Sequence, residues 1–446
     1  GVQLAFADSF EKKWVFDLNN FSATDTVQAQ PKEFLGKLFL IDGAGNFLSL
    51  DKKTGQLLYK KFLGINAGRR GFEINLETGE IVITANERLF ILNAQNGKVI
   101  SSRNTIKSVV SPIITDKCYI VLGSTGDIQC HDKNSDIVLW KTSLGKTARI
   151  WSNAVFFQKN DLIYFVTSNP GGIIYKQDRV DNYSSSLIAI TASSGSIAFS
   201  KRMVLNDVWD YDGVGKPILV ENYQQDDGVE LDLIIGTNKT GTIFAVNASN
   251  GKDVKDQQFK TVEFPVDLNG LVHQTNSQII PSWPNRVADI KIEKDDIRTD
   301  QLDEFKLRHA KFQEFLRPSL HYDLVIKGLH GGPEWHGGIY YNDELNGQKL
   351  LAYPSNNEAW ILRINYVREH PLLLKMAFKL LGIARQFKLL EIASQVKTRL
   401  RKTFNNIKGF FPKNSDAIPT IEGNVESRWN QNIWSNSSVN NKVISF

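Results

Sequence analysis

The sequence predicts an all-β fold, a β-propeller, followed by a helical C-terminal extension. Three observations predict it. A hairpin motif recurs along the chain, and its early copies are about 40 residues apart. After Trp360 the hairpin motif gives way to apolar residues spaced three and four apart. Hydrophobic residues make up 41% and charged residues 23% of the 446 residues, as in ordinary globular proteins. A chain of this length exceeds the usual size of a single domain unless the domain is built from repeats.

Each copy of the motif is an apolar strand, a small or acidic turn that contains glycine in four of the five copies, and a second strand. Asp or Asn followed by Gly closes a tight hairpin, and the flanking alternation turns one face of each strand toward a neighbouring sheet. A β-sandwich would show turn signals every 8–12 residues or so without a long period. We therefore predict a propeller of about six to eight blades over residues 1–365. The copies are residues 47–59, 89–100, 127–140, 187–197 and 242–252.

Three further segments stand apart from the repeats. Residues 284–318 are rich in charge and are predicted to be an excursion between blades. Residues 366–410 carry apolar residues at spacings of three and four, with a basic opposite face, which predicts an amphipathic helical segment. Its stretch 371–408 can lie on an anionic membrane surface, dock on a partner, or pack on the propeller with its basic face in solvent. Residues 411–446 form an Asn- and Ser-rich tail.

Charge and cysteine content limit the classes of partner. The net charge of +5 is mild, and no basic stripe interleaved with aromatic residues occurs before residue 360, so we predict no nucleic-acid partner. Cys118 and Cys130 lie on adjacent strands of one predicted hairpin, where a disulfide is conceivable, but we favour two buried thiols.

The N-terminal residues bear on localisation. The segment Leu4-Ala5-Phe6-Ala7-Asp8 resembles the end of a secretory leader with an Ala-x-Ala cleavage site. We therefore expect a periplasmic or exported protein, peripheral to a membrane if the basic helix binds lipid. The sequence contains no run of about 18 or more apolar residues, so it predicts no span of the bilayer.

Four short segments beside the repeats carry the residues of one candidate site. They are Ile150-Trp151-Ser152-Asn153, residues 168–172 (SNPGG), residues 208–212 (VWDYD) and residues 331–338 (GGPEWHGG). Taken singly, each residue has a structural explanation. Tryptophans often fill the core between blades, aspartates cap strand ends in turns, and Asn before Pro is a common turn pair. Taken together and in this order, they favour a shared functional site.

This order of segments resembles the pyrroloquinoline quinone (PQQ) dependent dehydrogenases, quinoproteins with eight-bladed propellers. The resemblance covers residues from about 14 to 363 and includes Tyr183-Ser184-Ser185-Ser186 between the second and third segments. Residues 331–360, with Tyr353-Pro354-Ser355-Asn356-Asn357, are similar to a later blade of the glucose dehydrogenase-like branch. The resemblance implies oxidation of an alcohol or sugar with PQQ and calcium as cofactors.

The resemblance also implies roles for individual residues. Asp210 matches the catalytic carboxylate, which takes the hydroxyl proton of the substrate and is also a metal ligand. Lys239 matches the cation that binds the quinone oxygens and stabilises charge that develops there. Asn169 matches the amide oxygen ligand of calcium, an ion that prefers hard oxygen donors.

Three more residues are implied to bind the cofactor. Trp151 matches the indole on which the flat quinone stacks, and Trp335 and His336 match a segment near the mouth of the pocket. Since the chain contains no Cys-x-x-Cys-His, it carries no covalently attached haem of that type, and its electrons would pass to membrane quinone or a separate cytochrome.

The chain departs from the family pattern in three places. The family's glutamate ligand for calcium has no counterpart in residues 122–127, where Asp127 is the nearest substitute, and the adjacent cysteines of many members are absent. The last one or two blades also have no counterpart after Trp360. We therefore predict that a partner chain completes the propeller. The alternative is a catalytically degenerate propeller that serves as a structural or interaction subunit of a membrane-associated complex.

Overall fold

The repeated hairpins belong to antiparallel sheets that follow one another along the chain. The structure is a computed structural model, which describes residues 13–18, 27, 29–65, 67–145, 147–169, 183–205, 213, 215–225, 227–238, 243–255, 257, 259–263, 277–281, 324–326, 337–343, 348–353, 360–362 and 442–445. Within this part of the chain the regular structure is extended, apart from a 3-10 turn at Gln158–Asn160 and the 3-10 conformation of Leu18.

Blades 1 to 4 each contain four strands, paired in chain order. Blade 1 comprises β1 (Lys32–Phe34), β2 (Lys37–Ile41), β3 (Asn46–Asp51) and β4 (Leu57–Phe62). Blade 2 comprises β5 (Glu73–Ile74), β6 (Glu80–Ala85), β7 (Arg88–Asn93) and β8 (Val99–Asn104). Blade 3 comprises β9 (Ile113–Ile114), β10 (Cys118–Leu122), β11 (Asp127–Asp132) and β12 (Val138–Ser143). Blade 4 comprises β13 (Val155–Phe157), β14 (Leu162–Val166), β15 (Ser186–Thr191) and β16 (Ile197–Arg202).

Blade 5 and three smaller sheets complete the described strands. Blade 5 comprises β17 (Ile218–Gln224), β18 (Glu230–Thr237) and β19 (Ile243–Asn247). The smaller sheets are β20 (Phe259–Glu263) with β21 (Ser277–Pro281), β22 (Leu324–Ile326) with β25 (Trp360–Leu362), and β23 (Ile339–Asp343) with β24 (Gln348–Tyr353) and β26 (Lys442–Ser445). The last strand lies in the predicted tail and pairs with β24.

The first repeat of the sequence shows how the local chemistry closes these hairpins. Residues 47–59 span the β3–β4 hairpin, where Asp51 accepts a 2.8 Å hydrogen bond from the Thr54 backbone N–H. Gly55 follows with a φ of 72°, and a Cβ there would enter the Trp14 ring. Only glycine satisfies both conditions without strain. The repeats of blades 2 to 4 likewise fall on the third and fourth strands, and repeat 242–252 covers the third strand of blade 5.

Consecutive blades pack face to face through apolar clusters. Phe47 joins blade 1 to blade 2, Phe165 belongs to the core between blades 3 and 4, and Phe244 belongs to the core between blades 4 and 5. The fourth strand of each of the first four blades alternates between partly buried and exposed residues, as expected of an outer edge. This arrangement confirms the predicted all-β propeller.

The two cysteines form a disulfide, so the prediction of two buried thiols is wrong. Cys130 on β11 lies opposite Ile120 on β10, and Cys118 lies two residues away on that strand. The two Cα atoms are therefore diagonal neighbours, 5.8 Å apart, which is within the range that a disulfide spans.

The remaining domain predictions fall outside the described residues. They are the excursion at 284–318, the amphipathic segment at 366–410 and most of the tail at 411–446. In the described part of the chain, no helix is both long enough and apolar enough to cross a bilayer.

Candidate functional site

The segments that carry Trp151 and Asn169 meet at one end of blade 4. Trp151 precedes the first strand, β13, and Asn169 follows the second, β14. Ile150 forms an antiparallel bridge with Thr167, and the Ser168 N–H donates a 2.8 Å hydrogen bond to the Arg149 carbonyl. The antiparallel pairing of β13 with β14 thus brings the two predicted cofactor ligands to the same end of the propeller, called the site end below.

Two residues next to predicted site residues join this end. Gly213 lies directly after residues 208–212, and its N–H donates a 2.9 Å hydrogen bond to the Thr167 carbonyl. Gly213 also forms a bridge with Asn238, which directly precedes Lys239. In the sequence Gly213 is three residues after Asp210 and Asn238 is one residue before Lys239; Asp210 and Lys239 themselves lie outside the described residues.

The fourth segment approaches from a later sheet. Gly337 directly follows His336 and packs so closely on the Lys216 backbone that a Cβ would overlap the Lys216 carbonyl. Its φ of 73° also favours glycine. Lys216 itself lies three residues after Gly213. Trp335 and His336 lie outside the described residues, but the residue that follows them is next to the start of blade 5.

Sequence reasoning missed Arg70, which contacts Trp151 directly. The Arg70 guanidinium lies over the indole, 5.2 Å from the ring centroid, and Nη1 donates a 2.7 Å hydrogen bond to the Trp151 carbonyl. Arg70 precedes the first strand of blade 2, just as Trp151 precedes the first strand of blade 4. This equivalent position in the repeat is the signal that could have identified it. The pair places a permanent positive charge beside a flat apolar surface.

Asn153 ties together three loops from successive blades. Its Nδ2 donates a 2.9 Å hydrogen bond to the Arg70 carbonyl, and its Oδ1 accepts one of 2.9 Å from the Ser111 N–H. Asn153 is only 8% exposed. Ser111 in turn donates through Oγ to the Phe72 carbonyl. The amide therefore fixes the loops of blades 2, 3 and 4 on which Arg70 and Trp151 lie.

We expect Asn153→Ala to lower the free energy of unfolding by about 1–3 kcal/mol, because the substitution leaves a buried carbonyl and a buried N–H without partners. Chemical denaturation monitored by circular dichroism measures this loss. Asn160→Ala is the matched control, since the Asn160 amide is exposed and bonds only the Ser249 hydroxyl among the contacts described. An Asn153→Ala variant as stable as Asn160→Ala would contradict the assigned role.

Two buried polar atoms of the Trp151 loop lack hydrogen-bond partners. The Nε1 of Trp151 and the Oγ of Ser152 make no hydrogen bond in the structure, although both atoms are buried. Buried polar groups usually have partners, and exceptions tend to occur where a ligand or water completes the set. The indole is also partly exposed. These features, with the Arg70 charge, fit a flat, anionic ring such as PQQ.

Among the described residues, acidic side chains do not gather into a metal site. They contain no group of three or more His, Cys, Asp or Glu side chains that could hold a metal ion. Asp127, the candidate substitute for the family's glutamate, accepts hydrogen bonds from Ser143 Oγ at 2.7 Å and Thr125 Oγ1 at 3.0 Å. Its carboxylate thus accepts hydrogen bonds from other residues of blade 3.

Residues 127–369, more than half of the chain, match the family described as glucose/ethanol/alcohol dehydrogenase, beta-propeller domain, of the PQQ type. The chain belongs to this family. The match begins at β11 of blade 3 and includes all four segments of the candidate site, so the PQQ dehydrogenase-like family predicted from the sequence is confirmed.

Curated relatives are similar to this PQQ-family chain at low identity. The quinoprotein glucose dehydrogenase of Escherichia coli is 28% identical over 220 residues, which cover 43% of this chain and 27% of the relative. The quinoprotein glucose dehydrogenase A of Acinetobacter calcoaceticus is 23% identical over 343 residues, which cover 68% of this chain and 42% of the relative. The chain thus matches less than half the length of these relatives.

A solved structure agrees on the fold. The quinohemoprotein alcohol dehydrogenase from Comamonas testosteroni superposes with a TM-score of 0.51 at 15% identity, covering 76% of this chain and 57% of that chain. At this identity the likeness concerns the propeller fold alone.

Proposed function

We propose that this protein is a quinoprotein dehydrogenase that oxidises an alcohol or a sugar and passes the electrons to membrane quinone or a separate cytochrome. One observation carries the proposal. The Trp151 loop, the Asn169 loop and the chain neighbours of Asp210 and Lys239 are joined at one end of a propeller of the PQQ family.

Each residue has a part in the proposed reaction. PQQ, when bound, supplies the acceptor for the substrate's hydride. Trp151 supports the flat ring, and Arg70 attracts its anionic carboxylates. Asp210 takes the hydroxyl proton of the substrate, and Lys239 holds the quinone oxygens, while Trp335 and His336 border the pocket mouth. Burial at the site end would raise the pKa of a carboxylate toward working pH, which suits a base.

The shortage of metal-binding side chains among the described residues favours a second function. Calcium held by Asn169 and Asp210 would lack the family's glutamate, and Asp127 bonds other residues of blade 3. This deficit favours a catalytically degenerate propeller that acts as a structural or interaction subunit of a membrane-associated complex. In that case a partner chain would complete the assembly, and the basic segment 371–408 would contact membrane or protein.

We further propose that the protein is periplasmic or exported. The Cys118–Cys130 disulfide supports this localisation, because disulfides persist in oxidising compartments and are rare in reducing ones.

Titration of the purified protein with PQQ, with and without calcium, tests the proposal. We expect saturable binding and a rise in melting temperature, since a ligand that binds only the native state stabilises it. Trp151→Ala is expected to weaken binding roughly 10- to 100-fold, because stacking of a flat heterocycle on an aromatic side chain contributes about 1–3 kcal/mol.

Trp14→Ala is the matched control for this titration. Trp14 packs against the β3–β4 turn of blade 1 and donates through Nε1 to the Lys52 carbonyl, so its loss should leave the ligand-induced shift unchanged. If the wild-type protein shows no saturable binding while a known quinoprotein binds in the same assay, the dehydrogenase is excluded and the structural subunit is favoured.

A further inference from the structure

A cavity lies between the first strands of successive blades and reaches Gly71, Ser111 and Asn153. It has a volume of about 470 Å³ and is lined by the first strands of blades 1 to 4 and by Lys216 at the start of blade 5. We call it the central channel. Gly71, Ser111 and Asn153 line it toward the site end, and Leu76, Asp116 and Gln158 line it at the opposite end, where first strands turn into second strands. Its volume is in the range of small-molecule sites.

Two lysines and one glutamate converge in the central channel from three blades. Lys32 of blade 1 forms a salt bridge of 2.5 Å with Glu73 of blade 2. Lys216 faces this pair from blade 5, close enough for both charges to act on it. Burial among the blades lowers the pKa of Lys216, the charge of Lys32 lowers it further, and Glu73 opposes them. Among the described residues Lys216 has no salt-bridge partner.

Within this group of three, two lysines face one carboxylate, so one positive charge is locally unbalanced. A carboxylate placed between Lys32 and Lys216 would complete an alternating set of two positive and two negative groups, which removes the repulsion between the two lysines. Gln30, Ser111 and Asn153 also line the cavity, and their amide and hydroxyl groups can bond the hydroxyls of a ligand. Away from these three charges the lining also carries Glu77, Asp116 and Lys133, where the two carboxylates outnumber the one lysine and disfavour a polyanion.

We propose that the central channel binds a small organic carboxylate bearing hydroxyl groups, with its carboxylate between Lys32 and Lys216. Arg70, Trp151 and Asn169 do not line this cavity, so the site is distinct from the proposed PQQ site. Its occupancy is measured without the cofactor, so its failure and the failure of the proposed function are separate results.

Isothermal titration calorimetry with sodium gluconate at constant ionic strength tests this site in the full chain. Sorbitol serves as the neutral match and inorganic phosphate as the competing oxyanion. We expect saturable heat with gluconate and none with sorbitol. Lys216→Gln should weaken binding about tenfold, because it removes one direct charge contact. Lys98→Gln, an exposed lysine on the β7–β8 turn, should leave the affinity unchanged.

A variant that is expected to tighten gluconate binding separates effects on binding from effects on the structure. Glu73→Gln removes the negative charge next to Lys32 and should tighten gluconate binding about threefold or more, whereas mere structural damage would weaken it. Phosphate binding as tight as gluconate would overturn the preference for an organic carboxylate. Unchanged gluconate binding in Lys216→Gln, or heat with sorbitol equal to that with gluconate, would overturn the site itself.

Discussion

Asp210→Asn is expected to reduce turnover about a thousandfold while leaving the affinity for PQQ within a factor of about three. A positioned general base contributes roughly 10²- to 10⁴-fold to a reaction that removes a hydroxyl proton, and an amide cannot accept that proton. The substitution preserves shape and one oxygen, so cofactor binding depends on it much less. The measurement is steady-state turnover with an artificial electron acceptor over a panel of alcohols and sugars, alongside the PQQ titration.

Asp127→Asn is the control for this experiment. Asp127 is the other carboxylate considered from the sequence, but its oxygens bond Ser143 on β12 and Thr125 in the β10–β11 turn. Its replacement should change neither turnover nor PQQ affinity. If Asp210→Asn turned over as fast as the wild type, Asp210 would not be the base. If Asp127→Asn alone lost cofactor binding, Asp127 would have to be assigned as a ligand of the metal site.

The propeller could be predicted from the sequence because the signals that specify its hairpins are local. A hairpin such as β3–β4 is determined by neighbouring residues: Asp51 and Gly55 close the turn, and the alternation beside them assigns the buried face. Repetition of that local pattern then predicts blades, since a single four-stranded sheet cannot bury both of its apolar faces alone.

The contacts within the candidate site could not be predicted in the same way. Asn153 and Arg70 are 83 residues apart in sequence, and their hydrogen bond depends on how blades 2 and 4 are arranged around the channel. The repeat places both residues before a first strand but does not determine which side chains meet. The same holds for Lys32, Glu73 and Lys216: each lies on or just before the first strand of its blade, but that position does not determine that their side chains converge.

The disulfide illustrates the role of register. Cys118 and Cys130 become diagonal neighbours only because β10 and β11 pair with Ile120 opposite Cys130. A shift of one residue would turn the two side chains to opposite faces of the sheet. Their oxidation also depends on the compartment, which the pairing pattern does not encode.

Phe47→Ala is expected to lower the free energy of unfolding by about 3–5 kcal/mol, the usual cost of truncating a buried phenylalanine. Phe47 is 0% exposed. It stacks on Phe39 at 5.8 Å between ring centroids and meets the edge of Phe72 at 5.5 Å. Because Phe72 precedes the first strand of blade 2, the substitution creates a cavity between two blades as well as within one.

Phe62→Ala in the same blade is the matched control for Phe47→Ala. Phe62 lies on the outer strand β4 and is 59% exposed, so its truncation should change the stability by no more than about 0.5 kcal/mol. Urea denaturation followed by tryptophan fluorescence compares the two variants. Since Phe72 is two residues from Arg70, loosening this contact should also weaken PQQ binding in the Phe47 variant alone. Equal stability of the two variants would show that the packing between blades 1 and 2 does not hold this end of the propeller together.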